Sequence, residues 1–149
     1  MEPFKQSPPA SPRRQLTRGL RVAAALLVLL GGAVHLFVWV KVERSVPIIG
    51  PLFIVNVASA VVIAVALLIR PAGLIAIAAL GLSSVTLAMF VLSRTVGIFG
   101  TQEPGVDAMG IVAAVAEMGT MVGLIAWFWA TRPAPGSIAV IGDRKPDAA

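Results

Sequence analysis

Four long apolar runs divide the chain into segments of membrane-spanning length. They cover residues 22–40, 48–69, 72–92 and 108–130, and a lysine or arginine follows each run within two residues. About 20 apolar residues in a helix cross the ~30 Å hydrocarbon core of a bilayer. None of the runs alternates between apolar and polar positions as a barrel strand does, and a helix leaves no backbone group unpaired in lipid. The pattern predicts an all-α polytopic membrane protein, an antiparallel bundle of four transmembrane helices.

Local signals indicate where these helices begin. Pro51 falls in the first turn of the second run, where the missing N–H of proline costs least. Asp107 directly precedes the fourth run and is predicted to be its N-cap. Little more than Arg70 and Pro71 separates the second run from the third, so we expect those two helices to form a tight antiparallel hairpin.

Both tails are rich in proline and polar residues. Residues 1–21 and 132–149 lack a helical period and enough apolar content to pack, and both are predicted to be disordered. Arg13 and Arg14, followed by an apolar run, loosely resemble a twin-arginine export signal. The first run is longer than the 7–15 residues or so of a signal's apolar region, and no A-x-A-like cleavage site follows it. We therefore expect this run to be an uncleaved helix.

The composition excludes a water-soluble fold. Hydrophobic residues make up 58% of the 149 positions and charged residues 13%, against about 45–50% and about 25% in soluble domains. The absence of cysteine excludes disulfides and thiolate metal sites, and a single histidine excludes a multi-histidine metal site. No hydrolase triad, nucleotide-binding loop or pair of deep carboxylates is present. We expect no metal, no cofactor and no enzymatic activity.

The positive charge is distributed as in a membrane protein. The net charge is +5, and five of the twelve basic residues precede the first run: Lys5, Arg13, Arg14, Arg18 and Arg21. With both termini in the cytoplasm, only Lys41, Arg44 and Arg94 lie on the outer side, as the positive-inside rule favours. The excess of arginine over lysine is typical of a GC-rich bacterial genome. The pattern predicts a multi-pass protein of the bacterial plasma membrane with both termini cytoplasmic.

The expected partners follow from the same pattern. They are the lipid bilayer and either a second copy of the chain or another membrane protein. Nucleic acid is excluded, because no basic face interleaves with aromatic residues.

A few polar residues interrupt the apolar runs, and they are the candidates for chemistry. Glu117 lies roughly 14 Å below the outer boundary at 1.5 Å per residue, a depth at which an ionisable group is costly and indicates function. A polar site in the outer half of the membrane is predicted from five side chains: Glu117, Asn56, His35, Ser83 and Thr86. A hydrogen bond from the Glu117 carboxyl to Asn56 or His35 is expected. The layer either specifies helix packing or forms a proton, ion or small-ligand site.

Two further features concern contacts between segments. Gly119 and Gly123 form the small-residue pattern of close helix approach, either within the bundle or with another subunit. The outer loop from Arg94 to Asp107 combines glycines and a proline with apolar residues, so we expect it to fold back over the outer mouth, with Glu103 near Arg94.

A family resemblance arises from several of these residues together. Four features carry it: His35 late in the first run, GPLFIVN at 50–56, SRTVGIFGTQE at 93–103, and Glu117 in the last run. In these features the chain resembles small uncharacterised actinobacterial four-helix membrane proteins. The resemblance covers about residues 35–130. It implies the four-helix fold and no mechanism, because no activity is attached to that family. Small multidrug exporters fit less well, since their membrane glutamate lies in the first helix.

Two classes of function remain open from the sequence. In the first, the chain is a non-enzymatic membrane bundle that packs or binds a partner, and its polar layer is structural. In the second, it is a small proton- or ion-coupled transporter that uses Glu117 as the protonatable group. Haem chemistry is disfavoured, because one histidine supplies one axial ligand per chain.

The predicted topology can be measured with reporter fusions. Fusions after residues 45 and 100 should report the outer side, and fusions after residues 71 and 140 the cytoplasm, because lysine and arginine are concentrated on one side. A cytoplasmic signal from the fusion after residue 100 would contradict the four-span arrangement.

Overall fold

Four long helices form the structure, which is a computed structural model that describes residues 11–41, 43–70, 73–100, 102–103 and 105–132. They are α1 (Pro12–Lys41), α2 (Ile49–Ile69), α3 (Gly73–Thr95) and α4 (Ala108–Thr131), with a short 3₁₀ helix at Glu43–Ser45. The all-α, four-helix prediction is confirmed. All four helices are long and apolar enough to span a membrane, and the predicted ends of α2, α3 and α4 agree with the structure to within three residues.

Helix α1 differs from its predicted span, because it begins at Pro12, inside the segment predicted to be disordered. Proline is well tolerated in a first turn, and the Ser11 carbonyl accepts the N–H groups of Arg14 and Gln15 at 2.9 and 3.1 Å. The side chain of Arg13 also donates from Nε to the Ala130 carbonyl at 2.9 Å, which ties the extension to the end of α4. The rest of the predicted tails, residues 1–10 and 133–149, lies outside the described residues.

The four helices are arranged as a ring in chain order. Each helix packs against its neighbours in sequence, and α4 closes the ring by packing on α1. Gly31 lies against Glu117 and Ala24 against Gly123, so α1 and α4 run antiparallel. We call the end of the bundle that holds the α3–α4 connection (residues 96–107) the loop end, and the opposite end the tail end. Contacts are most extensive around α1 and least extensive between α2 and α3.

Small residues fill the interior, and large apolar residues face outward. The buried core consists mainly of alanines: Ala24, Ala25, Ala60, Ala64, Ala76, Ala79 and Ala116. Exposed large apolar side chains occur on every helix, among them Leu26, Val62, Leu74 and Val122. This distribution is the reverse of a soluble bundle, and so much exposed apolar surface is consistent with a bundle that lies in a membrane. In lipid, small residues let helix backbones approach closely.

Glycines mark the closest approaches of α1 to its neighbours. A Cβ added at Gly32 would lie 2.9 Å from the Cβ of Ala60 on α2, and one added at Gly119 would lie 3.0 Å from Cδ1 of Leu27. The sequence left open whether Gly119 and Gly123 contact a helix of the same bundle or another subunit. In the structure they face α1 of the same chain. The α1–α2 contact is the tighter one, because Ala60 has no flexible side chain that could move away.

The packing at Gly32 can be tested by adding side-chain volume. Gly32→Leu should lower the free energy of unfolding by about 1–3 kcal/mol, the usual cost of overpacking, because α1 must move away from Ala60. Gly81→Leu is the matched control, since Gly81 is an exposed helical glycine with no atom near its Cβ position. Unfolding of both variants in detergent provides the measurement, and equal stabilities would contradict the packing described.

Candidate functional site

A cavity of about 480 Å³ lies within the loop end of the bundle. All four helices and the α3–α4 connection contribute to its walls, which are mainly apolar. Its polar lining residues are His35, Asn56, Ser59, Thr86, Ser93, Arg94, Glu103 and Asp107. Apolar walls, a few convergent polar groups and a volume between about 300 and 1,000 Å³ are typical of small-molecule sites.

Asn56 and Thr86 bridge α2 and α3 at the wall of this cavity. Nδ2 of Asn56 donates to Oγ1 of Thr86 at 2.7 Å, and both side chains are half-buried. The bond uses one of the two amide N–H groups of Asn56 and leaves the other N–H and Oδ1 available. Oγ1 of Thr86 accepts this bond and keeps its own hydrogen to donate. The pair therefore presents both donors and an acceptor.

His35 contributes a second polar group, from α1. Its Nδ1 donates to the Gly31 carbonyl one turn earlier at 2.8 Å, and its ring lies 5.1 Å from the ring of Phe53 on α2. Because Nδ1 is the donor, Nε2 of the neutral ring is left as an acceptor. The imidazole is thus held in one orientation by α1 and α2.

The α3–α4 connection folds back onto the end of α3. Arg94 donates through Nη1 to the Glu103 carboxylate at 2.5 Å and to the Glu103 carbonyl at 3.0 Å. The N–H of Glu103 donates to the Ser93 carbonyl at 3.1 Å, and Gln102 donates to the Thr95 carbonyl at 2.7 Å. Together these bonds hold the connection across one side of the cavity.

Glycine and aspartate set the two ends of this connection. Gly97, two residues after the end of α3, has a φ of 80°, and its N–H donates to the Leu92 carbonyl near the end of that helix. At the other end, the Asp107 carboxylate accepts the N–H of Gly110 at 2.7 Å. The prediction that Asp107 is the N-cap of the last helix is confirmed. Both residues therefore fix where the connection leaves α3 and enters α4.

Glu117 lies outside this cavity. Its side chain is only 5% exposed and packs between α4 and α1, with Oε1 2.9 Å from the position of a Cβ added at Gly31. Within the described residues, Asn56 is bonded to Thr86 and His35 to Gly31. The hydrogen bond from Glu117 to Asn56 or His35 expected from the sequence is therefore wrong. The physical reasons differ for the two residues: Asn56 lies on α2, which does not neighbour α4 in the ring, and bonds towards α3, whereas Nδ1 of His35 is used by the Gly31 carbonyl.

Ser83 also lies apart from the cavity. It is fully buried on α3, one turn from Thr86 towards the tail end, and its hydroxyl has no hydrogen-bond partner in the described part of the chain. Of the five residues of the predicted polar site, the structure thus brings together His35, Asn56 and Thr86 around one cavity. The two predicted mouth residues, Arg94 and Glu103, line the same cavity.

Several lining residues were not singled out by the sequence. Phe53, Leu82 and Ala113 all line the cavity, and Phe53 contacts the imidazole directly. In an almost wholly apolar run, a residue facing a cavity has the same character as one facing lipid, so hydropathy contains no signal for it. In the described ranges, no three His, Asp or Glu side chains lie close enough together to hold a metal ion.

The Asn56–Thr86 hydrogen bond can be measured by a double-mutant cycle. Asn56→Leu and Thr86→Val, separately and together, should give a coupling energy of about 0.6 kcal/mol and no more than about 1.7 kcal/mol, the range for bonds between membrane helices. Asn56→Leu combined with Ser84→Ala is the control, because Ser84 lies on α3 as Thr86 does, but its side chain is exposed. That pair should be additive, and additivity in the Asn56–Thr86 pair as well would contradict the bond.

No protein-family model, curated protein or solved structure matches this chain. The resemblance to small actinobacterial four-helix membrane proteins therefore stays a prediction. Function must accordingly be argued from the chemistry of the cavity.

Proposed function

We propose that this chain is a non-enzymatic, multi-pass protein of the bacterial plasma membrane that binds a small membrane-soluble partner molecule in its loop-end cavity. The observation that carries the proposal is the cavity itself, about 480 Å³ in volume and lined by all four helices. Its apolar walls match a hydrocarbon-rich ligand, and its few uncharged polar groups supply orientation.

The orientation in the membrane is proposed from the charges at the two ends of the bundle. The tail end holds six arginines: Arg13, Arg14, Arg18, Arg21, Arg70 and Arg132. The loop end holds Lys41, Arg44 and Arg94, and Arg94 is paired with Glu103. The positive-inside rule then favours an orientation with the tail end and both termini in the cytoplasm. In this orientation the cavity lies in the outer half of the bilayer.

A second candidate function rests on Glu117. A buried carboxyl in a membrane helix is costly, and Glu117 has neither of the two partners that the sequence suggested. A group of this kind suits a proton- or ion-coupled transporter in which the carboxyl gains and loses a proton. The contact with Gly31 would then couple its charge to the spacing of α1 and α4.

Ligand binding can be tested on protein purified from its own membrane. Native mass spectrometry should show a noncovalent small-molecule adduct on the wild-type chain. Ala113→Phe should reduce the adduct, because Ala113 lines the cavity and the added ring occupies part of its space. Ala78→Phe is the matched control, at an exposed alanine of α3 outside the cavity, and should retain it. An adduct equally abundant in both variants, or absent from the wild type, would overturn the proposal.

The transport alternative is tested by proton flux into proteoliposomes. It predicts flux in the wild type and none in Glu117→Gln, since glutamine keeps the shape of the side chain but cannot release a proton. Under the binding proposal neither protein supports flux, and the mass-spectrometric adduct is the same in both, because Glu117 does not line the cavity. Thermal unfolding in detergent confirms that the variant is folded.

A further inference from the structure

We infer that the ligand is an uncharged, single-tailed amphiphile that reaches the cavity sideways from the bilayer, between α2 and α3, and places its head group at Asn56, Thr86 and His35. This inference rests on the proposed function and specifies the chemical class of the ligand and its route.

The route is inferred from three residues that line the cavity and are also exposed on the outer surface of the bundle. Leu52 and Val55 on α2 and Val85 on α3 line the cavity, and their side chains are 45%, 59% and 63% exposed. All three are apolar, and they lie on α2 and α3, which make the least extensive contact of any two neighbouring helices in the ring. The cavity is therefore continuous with the lipid-facing surface at this place.

The sequences of α2 and α3 explain why the opening lies towards the loop end. The buried residues of α3 are Ala76, Ala79 and Ser83, all in its tail-end half. Beyond them the cavity-facing residues are larger, such as Met89 and Phe90. Because small residues are what allows membrane helices to approach closely, the tail-end halves pack together and the loop-end halves leave a space.

The polar atoms of the cavity favour an uncharged head group. Asn56 offers one N–H and Oδ1, Thr86 offers its hydroxyl hydrogen, and His35 offers Nε2 as an acceptor. A hydroxyl-bearing head can both donate to and accept from these atoms.

Two of the charged lining residues, Arg94 and Glu103, form an ion pair, and the third, Asp107, is exposed at the start of α4. Arg94 is paired with Glu103 at 2.5 Å, and the Asp107 carboxylate accepts from the N–H of Gly110 at the start of α4. Beside its ion pair, Arg94 keeps an unpaired Nε–H but no unpaired charge, and the charge of Asp107 lies in an exposed side chain. A charged head group at Asn56 and Thr86 would therefore find no unpaired opposite charge among the half-buried lining residues, and burying a charge without one is costly. This argument disfavours both anionic and cationic amphiphiles.

The volume restricts the tail. About 480 Å³ lies within the range of drug-sized ligands, which suits one hydrocarbon tail and not a two-chain phospholipid. Val34 and Val38 of α1 form the inner apolar wall, opposite the opening between α2 and α3. A tail can occupy the apolar part of the cavity and extend through the opening into the bilayer.

The test uses the full chain in phosphatidylcholine nanodiscs and a monopalmitoylglycerol probe with a photoreactive diazirine in its tail. Unlabelled monopalmitoylglycerol should block photolabelling at a concentration at least about tenfold lower than hexadecyl sulfate or hexadecyltrimethylammonium, a difference of about 1.4 kcal/mol. These competitors share the tail length and differ in head-group charge. Equal or better competition by either charged amphiphile would overturn the assignment of an uncharged head.

Two matched variants test the route. Val85→Trp should reduce photolabelling about tenfold by closing the opening, whereas Val62→Trp should not change it. Val62 is a comparably exposed valine on α2 that lies outside the cavity. Both substitutions lie on the lipid-facing surface, and thermal unfolding checks that both variants fold. Equal labelling of the two variants would overturn the sideways route.

Failure of this inference can be distinguished from failure of the proposed function. If the wild-type chain retains the native adduct but the monopalmitoylglycerol probe does not label it, the ligand class is wrong and the binding function stands. If the wild type shows neither adduct nor labelling, both are wrong. Labelling that is reduced about tenfold by Asn56→Leu supports the head-group site.

Discussion

Close contact between small residues on α1 and its neighbours is the constraint on which the rest of the structure depends. In lipid, apolar side chains gain little by leaving the solvent, so helices associate where their backbones can approach. Gly32 against Ala60 joins α1 to α2, and Gly123 against Ala24 joins α1 to α4. With both neighbours fixed on α1, α3 completes the ring, and the position of the cavity follows from how far small residues extend along each helix.

The cavity is therefore a consequence of the same rule and not an isolated feature. Alanines bring α2 and α3 together near the tail end, and larger side chains keep them apart near the loop end. The Asn56–Thr86 hydrogen bond joins the two helices beside this space, and the Arg94–Glu103 pair holds the α3–α4 connection over it. Hydrogen bonds thus define a region that apolar packing leaves open, which is the arrangement expected of a binding site.

The sequence predicted the helices well and their relative placement poorly. Apolar length and the cap at Asp107 are local properties, so α2, α3 and α4 could be placed to within a few residues. The start of α1 was missed because Arg13 is bonded to α4, a contact distant in sequence.

The partners of Glu117 were missed for a related reason: depth along a helix can be counted from the sequence, but the neighbour that each face meets depends on the ring order. His35, Asn56 and Thr86 could be found because a polar residue is conspicuous in an apolar run, whereas Phe53 and Ala113 were hidden among residues of the same character.

The central claim is that the loop-end cavity is continuous with the bilayer, and spin-label accessibility tests it most directly. The chain has no cysteine, so Ala113→Cys in the cavity and Met118→Cys on the lipid-facing surface can each be labelled alone. In nanodiscs, the nitroxide at position 113 should collide with oxygen nearly as often as the one at position 118. It should be largely protected from a water-soluble nickel chelate. Low accessibility to oxygen at position 113, or relaxation by the nickel chelate as strong as by oxygen, would contradict a cavity that opens into lipid.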